Sequence, residues 1–246
     1  MAKTKRRLDV LLVERQMVQS RERAKAMIMA GKVLVDDFPV DKAGTLVDKN
    51  ARIQLRGEDI AFVSRGGVKL ERALEDFGLD VSGMICLDVG ASTGGFTDCL
   101  LMHGAQKVYA VDVGYGQLAW KLRRDPRVVA IERTNIRSMK PDAIALPVDL
   151  ATIDVSFISL KIVVPSVAGF LKKRGAILAL IKPQFEAGRD KVGKGGVVKD
   201  PGLHQEIIHQ LSDFFEQMGF VTCGTYPSPI LGPKGNREFF ILLRHP

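Results

Sequence analysis

Two groups of residues in this chain have types and spacings suited to chemistry. The first is the run Leu87-Asp88-Val89-Gly90-Ala91-Ser92-Thr93-Gly94-Gly95-Phe96, where small residues let backbone N–H groups approach a ligand closely. Seventeen residues beyond Gly95, Asp112 stands in Val111-Asp112-Val113, and a carboxylate at the end of a second strand is where doubly wound folds bind ribose hydroxyls. The pair suits an adenosine-type cofactor. No Gly-Lys-Ser/Thr follows the run, and the full G-x-G-x-x-G spacing of dinucleotide enzymes is absent. Read alone, the same glycines equally serve a tight strand-to-helix turn.

The second group is Lys69 in Arg65-Gly66-Gly67-Val68-Lys69-Leu70, Asp154 in Ile153-Asp154-Val155-Ser156-Phe157, Lys182 in Leu180-Ile181-Lys182-Pro183-Gln184-Phe185-Glu186, and Glu238 in Asn236-Arg237-Glu238-Phe239. Three of the four follow or begin apolar strands. Asp154 and Lys182 end predicted strands, so both are expected at the carboxyl edge of a sheet, where open α/β folds bind ligands. Either one alone reads equally well as a solvated strand-end charge.

Strands and helices that must position these groups follow from hydrophobic spacing. Strands are expected at Met84–Val89, Lys107–Val111, Val128–Ile131, Leu150–Val155 and Ala176–Ile181, with helices at Gly67–Phe77, Gly95–His103, Ser159–Leu171 and Leu203–Met218. This alternation predicts an α/β fold with a doubly wound, mostly parallel sheet covered by helices. Val221–Pro227 and Glu238–Leu243 flank a Pro/Gly-rich turn and are expected as a hairpin at the sheet edge.

Ahead of this region the pattern differs. Apolar residues at helical spacing from Arg7 to Met17, and a second stripe between Ser20 and Gly31, predict two short helices. Short strands at Lys32–Asp36 and Arg52–Leu55 complete a small α+β unit. The expected organisation is a basic domain at 1–56, a linker at 57–63 and the larger domain at 64–246.

Lys69, Asp154, Lys182 and Glu238 resemble, in chain order, the Lys-Asp-Lys-Glu tetrad of FtsJ-type ribose 2'-O-methyltransferases. Together with Ser-Arg-Gly-Gly-Val-Lys-Leu, Asp-Val-Gly-Ala-Ser-Thr-Gly-Gly-Phe-Thr-Asp, Ile-Asp-Val-Ser-Phe-Ile-Ser-Leu and Gly-Asn-Arg-Glu-Phe, the chain is similar to the hemolysin A (TlyA) family of rRNA methyltransferases. The resemblance runs over nearly the whole chain. It implies a class I, Rossmann-like methyltransferase domain and methyl transfer from S-adenosylmethionine to the 2'-hydroxyl of a cytidine in small- or large-subunit ribosomal RNA. Asp88, Gly90, Ser92 and Gly94 would line the cofactor pocket, Asp112 would bind its ribose, and Asn135 and Ile136 would lie by its adenine. Lys182 would be the central base or polariser, Lys69 its electrostatic neighbour, Glu238 an orienting carboxylate and Asp154 the link between cofactor and lysine. Residues of about 7–56 would form a ribosomal-protein-S-four-like RNA-binding domain.

Composition agrees with an RNA partner. The net charge is +8, and residues 1–32 hold nine lysines and arginines against Asp9, Glu14 and Glu22, so a phosphate-rich ligand is favoured. RNA contacts are expected from Arg6, Arg7, Arg21, Arg23, Lys25 and Lys32, and from Arg189, Lys191 and Lys194 in a basic loop after Lys182. Three scattered cysteines without ligand spacing predict no disulfide framework and no metal site, in keeping with a cytoplasmic protein. No uncharged run reaches the ~18 residues of a membrane helix, so no membrane partner is expected. A non-catalytic ribosome-assembly protein, a pseudouridine synthase and a cytolysin are the rival readings. The intact tetrad weighs against the first, the glycine run against the second, and the lack of a lytic amphipathic segment against the third.

Overall fold

The computed structural model describes residues 5–18, 20–29, 31–55, 61–188, 191–193 and 195–245. The chain divides into two compact units, Met1–Asp59 and Ile60–Pro246. Residues 57–60 of the expected linker lie outside the described residues, whereas Phe62 is buried in the core of the second unit.

The first unit comprises β1 (Lys5–Arg7), α1 (Leu8–Glu14), α2 (Arg21–Met29), β2 (Val33–Val35), β3 (Phe38–Pro39), β4 (Leu46–Asp48) and β5 (Ile53–Leu55). Both helices turn their apolar stripes inward, so that Leu8, Leu11, Leu12, Ala24 and Ile28 pack with Val33 and Val47. Ser20, just before α2, accepts from Arg23 N at 3.2 Å and so caps that helix. Asp9 is wholly buried. It accepts hydrogen bonds from Arg7 at 3.0 Å and from Arg21 at 2.9 Å, and the Arg7 guanidinium holds its carboxyl well below the usual carboxylate range.

The second unit is built on a seven-stranded sheet. Its elements are α3 (Arg65–Phe77), β6 (Ile85–Val89), α4 (Gly95–Met102), β7 (Lys107–Val111), α5 (Trp120–Arg123), β8 (Val128–Ile131), β9 (Val148–Ile153), α6 (Leu160–Ala168), β10 (Leu171–Ile181), α7 (Pro183–Glu186), α8 (Pro201–Gln217), β11 (Val221–Pro227) and β12 (Phe239–Arg244). The strand order is β11-β12-β10-β9-β6-β7-β8. Strands β6 to β10 run parallel, and β12 is inserted antiparallel between β10 and β11.

Because strand side chains alternate, each parallel strand feeds two cores. Leu87, Val89, Ala151, Ile153, Ile177 and Ile181 face α6 and α8, while Cys86, Val108, Leu150, Leu178 and Leu180 face α3 and α4. The order of sheet neighbours reverses between β6 and β9, which opens a crevice at their carboxyl ends. The helix expected to run to Leu171 ends at Ala168, and β10 begins at Leu171. Its first pairing, Leu171 with Val148, is separated by a register shift from the next, Ala176 with Leu150.

Candidate active site

At the crevice the backbones of two strands touch. Asp154 N donates to Val89 O at 3.0 Å, and a Cβ on Gly90, whose φ is +85°, would lie 2.5 Å from Asp154 O. Only glycine fits there, so the glycine run must turn sharply before opening α4. Beneath the turn Asp88 is wholly buried. Its carboxylate accepts from the Thr97 hydroxyl at 2.7 Å and more weakly from Thr152 at 3.3 Å, tying β6 to α4 and β9. Asp88 therefore lies under the loop and is absent from the cleft wall.

Burial pushes the Asp88 carboxyl up to about 7. A raised folded value means that, between the ordinary carboxylate range and 7, the folded protein holds a proton that the unfolded chain has released. Stability therefore falls as pH rises through that window, and the full cost of the buried charge is present above it. Asp88→Asn should raise the melting temperature over the parent at pH 8.5 and leave it nearly unchanged at pH 4.5. A calorimetric difference that did not vary with pH would contradict this account.

A cleft of about 360 Å³ opens above the loop. Gly90, Ser92, Thr93 and Gly95 form one wall, and Lys69, Asp154, Lys182 and Glu238 form another. Each of the four comes from a different element. Lys69 sits in the second turn of α3, whose start is capped by Ser64. Asp154 follows β9, Lys182 follows β10, and Glu238 precedes β12. Insertion of β12 beside β10 is what brings residue 238 to the carboxyl edge, since Phe239 pairs with Ile181.

The four form two ion pairs. Lys69 Nζ lies 2.6 Å from Glu238 Oε2, and Lys182 Nζ lies 2.6 Å from Asp154 Oδ1 while donating to Ser156 Oγ at 3.1 Å. Ser156, the second partner of this lysine, is not among the expected site residues. Its signal was its place two residues after Asp154 in the Ile-Asp-Val-Ser run. Glu238 Oε1 is buried and has no hydrogen-bond partner among the described residues, so one acceptor of this wall residue is left unmet by the protein.

Asp112, Asn135 and Ile136 are not part of the cleft wall. The Asp112 carboxylate accepts from Ser92 N at 2.8 Å and from Gly114 N at 2.7 Å, behind the glycine run. Asn135 caps a 3₁₀ turn over Ile136–Ser138 by accepting from Arg137 N, and Ile136 is buried under it. A backbone hydrogen bond from Thr134 to Asp112 holds the two strand ends together. Gly94 is the residue that caps α4.

Among the expected RNA contacts, Arg6 and Lys25 are exposed and Arg23 and Lys32 half-buried. Arg7 and Arg21 remain about half exposed although both bind Asp9. Lys191 pairs with Glu206 at 2.8 Å. Arg189 and Lys194 lie outside the described residues. Among the described residues no group of three or more His, Cys, Asp or Glu side chains could hold a metal ion, and no helix is long and apolar enough to cross a membrane.

A family profile described as FtsJ-like methyltransferase matches residues 62–245. The chain belongs to the FtsJ-like methyltransferase family. A second profile, described as an S4 domain, matches residues 6–53, so this FtsJ-like methyltransferase carries an S4 domain in its first unit. It is 48% identical over 239 residues to the 16S/23S rRNA (cytidine-2'-O)-methyltransferase TlyA of Mycobacterium tuberculosis, covering 97% of this chain and 89% of that protein. It is 42% identical over 234 residues to Hemolysin A of Brachyspira hyodysenteriae, covering 95% and 97%. A solved structure from Streptococcus thermophilus that carries a hemolysin name superimposes with a TM-score of 0.78 at 44% identity, over 99% of this chain and 90% of that one.

Proposed function

We propose that this FtsJ-like methyltransferase transfers the methyl group of S-adenosylmethionine to the ribose 2'-hydroxyl of a cytidine in ribosomal RNA, in the cytoplasm, with the S4 unit holding the RNA. The observation that carries the reading is the shared cleft. A glycine loop at a helix start and a Lys-Asp-Lys-Glu wall face one space, and the wall contains a buried acceptor without a partner. The named activity of the TlyA relative supports the choice of acceptor.

The residues present fit the cofactor. Gly90 presses its backbone against Asp154, and the small residues Gly90, Ala91, Ser92 and Thr93 line the cleft where a ligand would lie. Asp112 stands directly behind Ser92, beside that loop. When bound, S-adenosylmethionine supplies a sulfonium methyl group, a strong electrophile. The protein's own task is the other partner, because a ribose hydroxyl is a poor nucleophile at neutral pH. Glu238 Oε1 can accept that hydroxyl's hydrogen and orient it. Lys182 Nζ, fixed between Asp154 and Ser156, supplies positive charge where negative charge grows on the oxygen. Lys69 holds Glu238 in place, and Asp154 joins the lysine to the Gly90 turn.

The test is transfer of labelled methyl from S-adenosylmethionine to ribosomal RNA, followed by alkaline hydrolysis. A 2'-O-methyl group blocks cleavage of the adjoining phosphodiester, so the label should appear in alkali-resistant dinucleotides that begin with cytidine. Label recovered in single nucleotides would mean base methylation and would overturn the ribose assignment.

A further inference from the structure

The end of the sheet opposite the active site bears a second cleft, of about 270 Å³, whose wall includes Lys172, Lys173, Arg174 and Arg244. No step of methyl transfer uses it. Three independent observations meet there. The first is a bulge: between the pairings Leu171 with Val148 and Ala176 with Leu150, β10 carries the four residues Lys172-Lys173-Arg174-Gly175 opposite Asp149 alone. The second is strain. Arg174 has φ +62°, a left-handed conformation that costs a side-chain-bearing residue and persists only where its surroundings enforce it.

The third observation is how the bulge is held. Lys172 Nζ binds Asp149 at 2.7 Å, and Asp149 also accepts from Ile85 N at 2.9 Å. A Cβ on Gly175 would meet Lys172 O at 3.0 Å, and Gly175 O accepts from His245 N at 2.8 Å. The base of the bulge is thus fixed, while Lys173 and Arg174 at its tip are exposed. Antiparallel β12 ends beside it, its exposed Arg244 paired in register with Ala176. Bulges re-aim side chains, and two cations of this one line the same cleft as Arg244. No carboxylate among the described residues lies within ion-pair distance of Lys173, Arg174 or Arg244. Asp80 and Asp149 also line the cleft, but Asp149 is matched by Lys172, so the excess of positive charge remains.

We propose that this bulge is a second RNA-binding site, in which Lys173, Arg174 and Arg244 contact the phosphodiester backbone of the substrate at a point remote from the methylated nucleotide. The proposal rests on the reading that the substrate is ribosomal RNA. Ala176 and Lys182 are six residue steps apart along β10 and its end, about 20 Å for an extended strand. A substrate touching both places must therefore extend at least that far beyond the methylated nucleotide.

The test uses the full chain with Lys173→Gln, Arg174→Gly and Arg244→Gln combined. Glycine accepts the left-handed backbone at 174, so the bulge keeps its shape. Binding and methylation of ribosomal RNA are measured from 50 to 200 mM salt, with S-adenosylmethionine affinity measured by calorimetry. Loss of three phosphate contacts should flatten the slope of log affinity against log salt by about 2 to 3. At low salt the KM for RNA should rise about tenfold or more, with kcat and cofactor affinity as in the parent. Should the triple variant lose cofactor affinity, Lys173→Gln alone carries the test, with an expected slope change of about 1. A slope and KM equal to the parent's would overturn the proposal. A parent protein that neither bound nor methylated ribosomal RNA would overturn the substrate reading beneath it.

Discussion

Replacing Lys182 by alanine should slow methyl transfer by about 10²–10⁴-fold, the usual contribution of a positioned acid–base or charge-stabilising group. Affinity for S-adenosylmethionine and for RNA should stay near the parent's. Lys182 is buried, with 10% of its side chain exposed, and is held between Asp154 and Ser156, so in the proposed reaction it would meet charge that appears only as the reaction proceeds. An interaction made chiefly in the transition state shows in kcat, with little change in binding. The fold should tolerate the loss, because the Asp154 side chain is 21% exposed and water can replace the lysine. Lys182→Arg should not restore the rate, since a planar, permanently protonated guanidinium can neither take the ammonium's place between two acceptors nor release a proton. Single-turnover transfer of labelled methyl to ribosomal RNA at saturating cofactor is the measurement. Near-parental rates for both variants would remove lysine from the centre of the mechanism. A deficit confined to RNA affinity would make Lys182 a phosphate contact.

The parallel strands were legible because both of their faces are covered, which leaves near-continuous apolar runs such as Ile85–Val89 and Ile177–Ile181 bounded by polar turns. The carboxyl-edge positions of Asp154 and Lys182 followed from that alone. Of the first unit's short strands, β2 and β5 were expected, within Lys32–Asp36 and Arg52–Leu55, whereas β1, β3 and β4 were not, since they span two or three residues that are mostly exposed and form no apolar run. Lys172-Lys173-Arg174-Gly175 read as a connection, because the register that makes it a bulge belongs to the partner strand β9.

Pairing within the site was hidden for a similar reason. Which carboxylate serves which lysine depends on β12 lying between β10 and β11 and not outside them, a choice that no local spacing encodes. Asp88 shows the limit of motif reading in another way. Its place before Gly90 put it beside the cofactor loop, but strand alternation turns its side chain towards Thr97 and Thr152.

The Lys69–Glu238 pair carries the second large effect, and here stability and activity should separate. The Glu238 side chain is wholly buried and that of Lys69 is 11% exposed. Lys69→Met would strand a carboxylate without its cation, and breaking a buried pair from one side typically costs about 3–5 kcal/mol. Because the pair borders an open cleft, the lower end is expected, roughly 3 kcal/mol, which for a unit of this size lowers the melting temperature by about 6–12 °C. Adding Glu238→Met removes the stranded charge, so the double variant should recover most of that loss, as when a buried ion pair is replaced by apolar residues of similar volume. Methyl transfer should not recover with it, since the acceptor at Glu238 Oε1 is gone. Calorimetric unfolding of the parent, both single variants and the double variant closes the cycle, with single-turnover transfer measured on each. Additive destabilisation would show that the two side chains do not act as a pair. Parental activity in the double variant would reduce Lys69 and Glu238 to structural supports of the cleft wall.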